Sequence, residues 1–288
     1  MANTNPPLQK TLARTVRCRG IGVHTGLDAE LEIRPAPADR GIVFFRSDLP
    51  GSNEIPARVE TVSRTTRGTS LGPAETGVKT VEHLLAALSG LEIDNAVVAM
   101  NGPELPMGDG SALHFLRLVT VAGIRELAAP RRFRDLRRPV VVETPGGIVT
   151  ALPAPRFRIA CTIAFGDPLL DAQFRDLEIS PEVFSREVAP ARTFGFYREA
   201  LPLLKQGLIR GTGLDNTVVI GPGAVFSRGG LRFDDECVRH KILDLIGDLD
   251  LLGFPIRATI LAVRPGHQIN IELAKKIKEA CYEPGERP

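Results

Sequence analysis

Two stretches of this chain, 81–88 (VEHLLAAL) and 238–245 (VRHKILDL), share the pattern V-x-H-x-[LI]-[LA]-x-L. Each is followed by an apolar run of strand character, AVVAM at 96–100 and ATILAV at 258–263, and then by a glycine turn, NGPE or RPGH. A helix, a strand and a turn repeated in this order predict two related α+β halves. Each half presents a helix with a histidine at the same place, which is how a site at a pseudo-symmetric interface is built. The 288 residues, 43% of them apolar, suffice for two cores. We therefore expect one domain over 1–130 and a second over 139–288. The basic, proline-bounded run PRRFRDLRRP (130–139) shows neither helical nor strand period and reads as a solvated connector.

Alternating or β-branched runs predict strands over 30–35, 42–45, 55–62, 95–100, 140–150 (around Gly146-Gly147) and 157–165. Val81, Leu84, Leu85 and Leu88 fall at i, i+3, i+4 and i+7, giving a short amphipathic helix with Thr80 as N-cap and Gly90 as stop. Further helices are expected over 112–122, over 194–207 despite Pro202, and over 234–252, ended by Gly253.

Composition removes several function classes. A net charge of +2 gives no general attraction for nucleic acid or for an anionic membrane, so any anion site must be local. No apolar run approaches the roughly 18 residues that span a bilayer, and the first ten residues carry no secretory signal pattern. The expectation is a cytoplasmic protein without stable membrane insertion. Cys18, Cys161, Cys237 and Cys281 form no C-x-x-C pair, which excludes a zinc ribbon and a disulfide framework. A metal would have to be held mostly by the five histidines and by carboxylates.

On the 234–252 helix, Val238, Ile242, Leu245, Ile246, Leu249 and Leu252 share one apolar arc. His240, Asp244 and Asp248, at i, i+4 and i+8, lie within about 80° of each other on the other side. Such a stripe on an arbitrary helix is a solvated face. Solvated faces mix signs with Lys and Glu, however, whereas this one is an imidazole and two short carboxylates, and His-x-x-x-Asp lets both side chains reach one ion. A catalytic zinc needs a third protein ligand, which His83 could supply, with Glu82 beside it to accept a proton. Taken alone, Glu82 is also a favourable first-turn acid, and His83 a core histidine. His267 follows Arg264-Pro-Gly in a turn that presents side chains, and Cys237 reads as a small packed residue.

The runs TVEHLLAALSGLEIDNAVV, PELPMGDGSA, ARTFGF, GLDNTVV and LRFDDECVRHKILDLIGDLDLLG, with RPGHQINIEL, closely resemble the UDP-3-O-acyl-N-acetylglucosamine deacetylase family, zinc amidases of lipid A biosynthesis. The similarity extends from Thr11 through G-x-G-V-H-T-G (20–26) to about Ile277. It implies an α+β fold of two similar domains, each a sheet with helices, the helices packed between the two sheets. It implies zinc, for which iron(II) could substitute, on His83, His240 and Asp244, with Glu82 as general base. His267, paired with Asp248, would be the charged histidine that protonates the leaving amine, and Thr193 would help bind the oxyanion. Phe194 would lie beside the sugar, Lys241 and Arg264 would be the cations near the diphosphate, and Phe165 would meet the uracil. An insertion near 196–219 would line an acyl passage with Tyr197, Leu201, Leu203, Leu204 and Leu208, residues that could equally be ordinary core. The implied reaction is hydrolysis of UDP-3-O-(3-hydroxyacyl)-N-acetylglucosamine to the amine plus acetate, the committed step of lipid A biosynthesis, by a monomer. Three positions depart from the family pattern: Asp167 stands where histidine is frequent, Arg264 replaces a lysine, and Cys237 replaces a large apolar residue. A zinc amidase acting on another N-acyl substrate would share the ligands and base but lack the acyl passage. A pure binding module has no need of the complete ligand, base and acid set.

Overall fold

The structure, a computed structural model, describes residues 6–170 and 172–281. The first half runs β1 (Leu8–Leu12), β2 (Val16–Ile21), β3 (Asp28–Pro35), β4 (Ile42–Arg46), β5 (Ile55–Pro56), β6 (Val62–Arg64), β7 (Ser70–Leu71) and β8 (Val78–Lys79). It continues with α1 (Glu82–Gly90), β9 (Ala96–Met100), α2 (Leu113–Ala122) and β10 (Ile124–Pro130). The second half runs β11 (Arg134–Asp135), β12 (Val140–Thr144), β13 (Gly147–Pro153), β14 (Arg158–Ile163), β15 (Gln173–Glu178) and α3 (Pro181–Val183). It closes with β16 (Phe194–Phe196), α4 (Tyr197–Lys205), β17 (Val218–Gly221), β18 (Ala224–Phe226), α5 (Glu236–Asp250), β19 (Ile256–Val263) and α6 (His267–Cys281).

A five-strand path is duplicated in the two sheets, the second of which also carries β11 on β19. One sheet is ordered β2-β3-β9-β4-β5 and the other β12-β13-β19-β14-β15. In both, the successive pairings are antiparallel, antiparallel, parallel and antiparallel. α1 and α5 each precede the central strand of their sheet, and α2 and α6 each follow it. Strands such as β3 and β19 alternate buried and exposed residues, so each sheet buries one face and wets the other. α1 and α5 are buried almost all round, and one continuous core joins them to both sheets. The helices therefore form a middle layer, as the resemblance implies. The stripe of His240, Asp244 and Asp248 faces this interior and not solvent.

Several local expectations are corrected. Thr80 does not cap α1. It sits at φ 58° and donates its hydroxyl to Glu104 at 2.9 Å, and α1 starts after Val81 without a side-chain cap. The 55–62 run breaks into β5, a 3₁₀ turn (Val59–Thr61) and the start of β6, because Pro56 ends the ladder. The 130–139 run is not a solvated connector: Arg131 donates to Asp94 at 2.7 Å, β11 pairs in parallel with β19, and Leu136 is buried. The 194–207 run opens as strand β16, which pairs with β17, before α4 begins. His267 is the first residue of helix α6, which was not anticipated, and not part of a turn.

Candidate active site

A cavity of about 870 Å³ opens where the N-terminal half of α1, the middle of α5 and the start of α6 converge. Glu82, His83, Thr193, Phe194, Phe165, His240, Lys241, Asp244, Arg264 and His267 all line it, while Asp248 lies behind His267. The chain thus gathers the expected residues from both halves around one space.

His83, His240 and Asp244 are buried, with one candidate ligand atom from each lying within 4.8 Å of the others. His240 Nε2 is 3.4 Å and His83 Nε2 3.8 Å from Asp244 Oδ1, and the two rings meet edge-on at 4.9 Å. His240 Nδ1 lies 3.1 Å from the Ala191 carbonyl, which fixes the proton there and leaves the Nε2 lone pair free. Burial, reinforced by His240, holds the His83 pKa down at about 3, and burial likewise lowers that of His240. Both rings are neutral and able to donate. Burial alone would raise Asp244, but Lys241, with Nζ 2.6 Å from Oδ2, and His240 outweigh it and hold the carboxylate ionised. His83 Nδ1 is buried without a hydrogen-bond partner. Two neutral imidazoles and an ionised carboxylate, with both Nε2 atoms turned to the same carboxylate oxygen, together fit a metal ion.

Beside this group stand a base and an acid. Burial pushes Glu82 up to about 7, against the opposing pull of His267. Burial would depress His267, but Asp248, whose Oδ2 accepts from His267 Nδ1 at 2.9 Å, and Asp244 raise it to about 9. At neutral pH the imidazole is therefore a cation. Its Nε2 lies 3.9 Å from Glu82 Oε1 across the cavity wall.

Residues 9–279 match the family described as UDP-3-O-acyl N-acetylglycosamine deacetylase. The chain belongs to this family. It is 43% identical over 277 residues to the UDP-3-O-acyl-N-acetylglucosamine deacetylase of Myxococcus xanthus, covering 96% of this chain and 88% of that one. The protein of the same name from Chlamydia felis is 44% identical over 272 residues, 94% and 97% of the two chains. That of Anaeromyxobacter dehalogenans is 43% identical over 269 residues, 93% and 87%.

The remaining features of this deacetylase-family site come from loops that sequence reasoning reached only in part. Thr193 is held between the halves: its N–H donates to Gly110 O and its carbonyl accepts from Val218 N, both at 2.8 Å. Gly110, at φ 82°, is required here because a β-carbon would fall 1.8 Å from Asn216 O. The flanking Arg192 forms a buried pair with Glu236 at the start of α5, Nε to Oε1 2.8 Å, which fixes Ala191 and Thr193 relative to His240. Lys241 is tied to Asp244 and is not a free cation, whereas the Arg264 side chain is exposed. Phe165 packs edge-on against Phe194 and Phe196, and the departing Asp167 is paired with Arg198 at 2.8 Å.

α4 has no buried residue, so the ordinary-core alternative is overturned for Tyr197, Leu201, Leu203 and Leu204, while Leu208, beyond the helix, is half-buried. Leu203 and Tyr197 line the cavity, while Leu201 and Leu204 are exposed. Cys237 is packed, its thiol pushed up to about 12 by burial. Thr69, Asn270 and Glu104 were missed. Asn270 Nδ2 donates to Asp248 Oδ2 at 2.9 Å, and Glu104 anchors the 20–26 loop through the amides of His24 and Thr25.

Proposed function

We propose that this chain hydrolyses the acetamide of UDP-3-O-(3-hydroxyacyl)-N-acetylglucosamine to the free amine and acetate, using zinc held by His83, His240 and Asp244. The observation that carries this reading is the juxtaposition of a buried metal-binding group with a buried carboxyl group and a carboxylate-paired imidazole 3.9 Å from each other. When bound, zinc supplies Lewis-acid polarisation of a carbonyl and makes water more acidic; iron(II) suits the same donors.

The chain's own groups do the rest. Glu82 takes the proton of the attacking water, for which a pKa near 7 is well matched. The Thr193 hydroxyl, from a residue that lines the cavity, would donate to the amide oxygen as negative charge develops there. Nitrogen leaves poorly unless protonated, and cationic His267, kept charged by Asp248, delivers that proton. Phe194 would flank the sugar, Phe165 the uracil, and Lys241 with Arg264 the diphosphate, while α4 would border the acyl chain. The same reading takes the chain as a cytoplasmic monomer of two domains, 1–130 and 139–288. Among the described residues, no helix is long and apolar enough to cross a membrane.

The test is to incubate the purified protein with this substrate and follow acetate with and without a chelator. Chelator-sensitive acetate release is expected, and its absence overturns the assignment.

A further inference from the structure

The base and the acid are closed into a ring by Thr69. Glu82 Oε2 accepts from Thr69 N at 2.9 Å, and Thr69 Oγ1 donates to Asp248 Oδ1 at 2.6 Å. Asp248 Oδ2 accepts from His267 Nδ1 at 2.9 Å, and His267 Nε2 returns to 3.9 Å from Glu82 Oε1. The one open side of the ring, between Nε2 and Oε1, belongs to two side chains that line the cavity. Thr69 and Glu82 come from the first half, Asp248 and His267 from the second, so two sides cross between them, the Thr69–Asp248 bond and the open Nε2–Oε1 side.

Thr69 is fully buried, so water does not compete for these bonds. Its third polar group, the carbonyl, accepts from Val81 N at 3.2 Å, one residue before α1. Asp248 is itself fully buried and as a carboxylate can only accept. His267 and Asn270 both serve Oδ2, which leaves Oδ1 to Thr69. Without that hydroxyl only the Asn270 bond to Oδ2 resists rotation about Cβ–Cγ, a rotation that would carry the imidazole with it; the same hydroxyl lies 3.4 Å from His267 Nδ1.

The backbone around Thr69 is shaped for this contact. A β-carbon at Gly68 would lie 3.0 Å from Glu82 Oε1. Arg67 is left-handed at φ 60°, and its carbonyl accepts from His24 Nε2 at 2.9 Å. The amide of His24 is in turn held by Glu104.

We propose that Thr69 is a positioning residue for the reaction: its N–H orients the Glu82 carboxylate while its hydroxyl holds Asp248, and through Asp248 the His267 ring, so that one residue sets the separation of base and acid. This rests on the deacetylase reading above. The experiment compares Thr69→Val, which keeps the volume and loses the donor, with Thr69→Ser, which keeps the donor, both in the zinc-loaded full chain. For Thr69→Val, kcat falls about 10- to 100-fold while KM and zinc content stay within about twofold of the parent; Thr69→Ser recovers kcat to within about threefold. In an Asp248→Ala background the further loss from Thr69→Val shrinks to less than about threefold, because the hydroxyl acts through Asp248.

Unchanged kcat in Thr69→Val, equal losses in Val and Ser, or an undiminished effect in the Asp248→Ala background overturns the proposal. If the valine variant does not fold, Thr69→Cys, with a weak donor of similar size, takes its place in the same contrast. A parent that releases no acetate counts against the deacetylase reading alone. The His267 Nδ1–H proton resonance then decides for Thr69 without substrate: it moves in Thr69→Val and stays in Thr69→Ser, and identical resonances in all three proteins overturn the positioning role.

Discussion

Gly247 lies directly on the main-chain carbonyl of Glu82: a β-carbon at 247 would fall 2.1 Å from that oxygen. Here α5 lies against the first turn of α1, which brings the base on one helix up to Asp244 and Asp248 on the other. Gly247→Ala must push the helices apart. Overpacking of this kind costs about 1–3 kcal/mol. Thermal unfolding should show a Tm lower by at least about 2 °C, with deacetylation reduced well beyond what the lost stability explains. A variant with parental Tm and rate would show that the two helices do not touch here.

Turnover requires Glu82 ionised and His267 protonated. Glu82 titrates at about 7 and His267 at about 9, so kcat/KM should rise with pH on an acidic limb and fall on an alkaline limb near 9. Because bound zinc adds positive charge beside both groups, both limbs of the loaded enzyme fall below these values. His267 is raised above its unfolded value of about 6.5. Its contribution to stability is therefore fully present below that pH and is lost as pH rises through about 9. A pH–rate profile that is flat from mildly acidic to alkaline conditions contradicts this assignment.

Metal content separates ligands from base. His83→Ala, His240→Ala and Asp244→Ala should each lose stoichiometric zinc, measured by elemental analysis after dialysis. Glu82→Gln should retain the ion and lose about 10²- to 10⁴-fold in kcat. A zinc-free Glu82→Gln protein would place that carboxylate among the ligands.

Arg192 and Glu236 are 2% and 0% exposed, and Glu236 also accepts the backbone amides of Arg192 and Arg232. Arg192→Met leaves a buried carboxylate without its cation and should cost about 3–5 kcal/mol in denaturant unfolding. A cost below about 1 kcal/mol, the range of exposed pairs, would mean that water reaches Glu236.

On α4, Leu203 lines the cavity but no residue of the helix is buried. Leu203→Asn should leave Tm nearly unchanged and raise KM for long-chain substrates more than for short-chain ones. Equal KM changes across acyl lengths would remove α4 from the acyl passage.

The duplicated helices and the His240, Asp244, Asp248 stripe were legible in the sequence because they rest on i, i+4 periodicity. The same periodicity could have revealed α6 through Ile269, Leu273 and Ile277, but Pro265-Gly266 before His267 disguised its start as a loop. Thr69 carried no such signal. It sits in a short run without period, and its importance comes from a partner 179 positions away, Asp248. Thr80 misled for a related reason: a threonine ahead of an apolar period reads as a cap, yet a buried carboxylate, Glu104, claims its hydroxyl.

Duplicating a domain ordinarily doubles whatever it binds. In this chain the equivalent histidines, His83 and His240, meet each other at 4.9 Å instead of heading separate sites. Two copies of one unit therefore converge on a single place. The position equivalent to Asp244 is filled by Ala87, so the partners of the two histidines no longer obey the symmetry. Neither copy is then a smaller version of the enzyme. A gene fragment encoding either half alone would carry part of a catalyst and none of its activity.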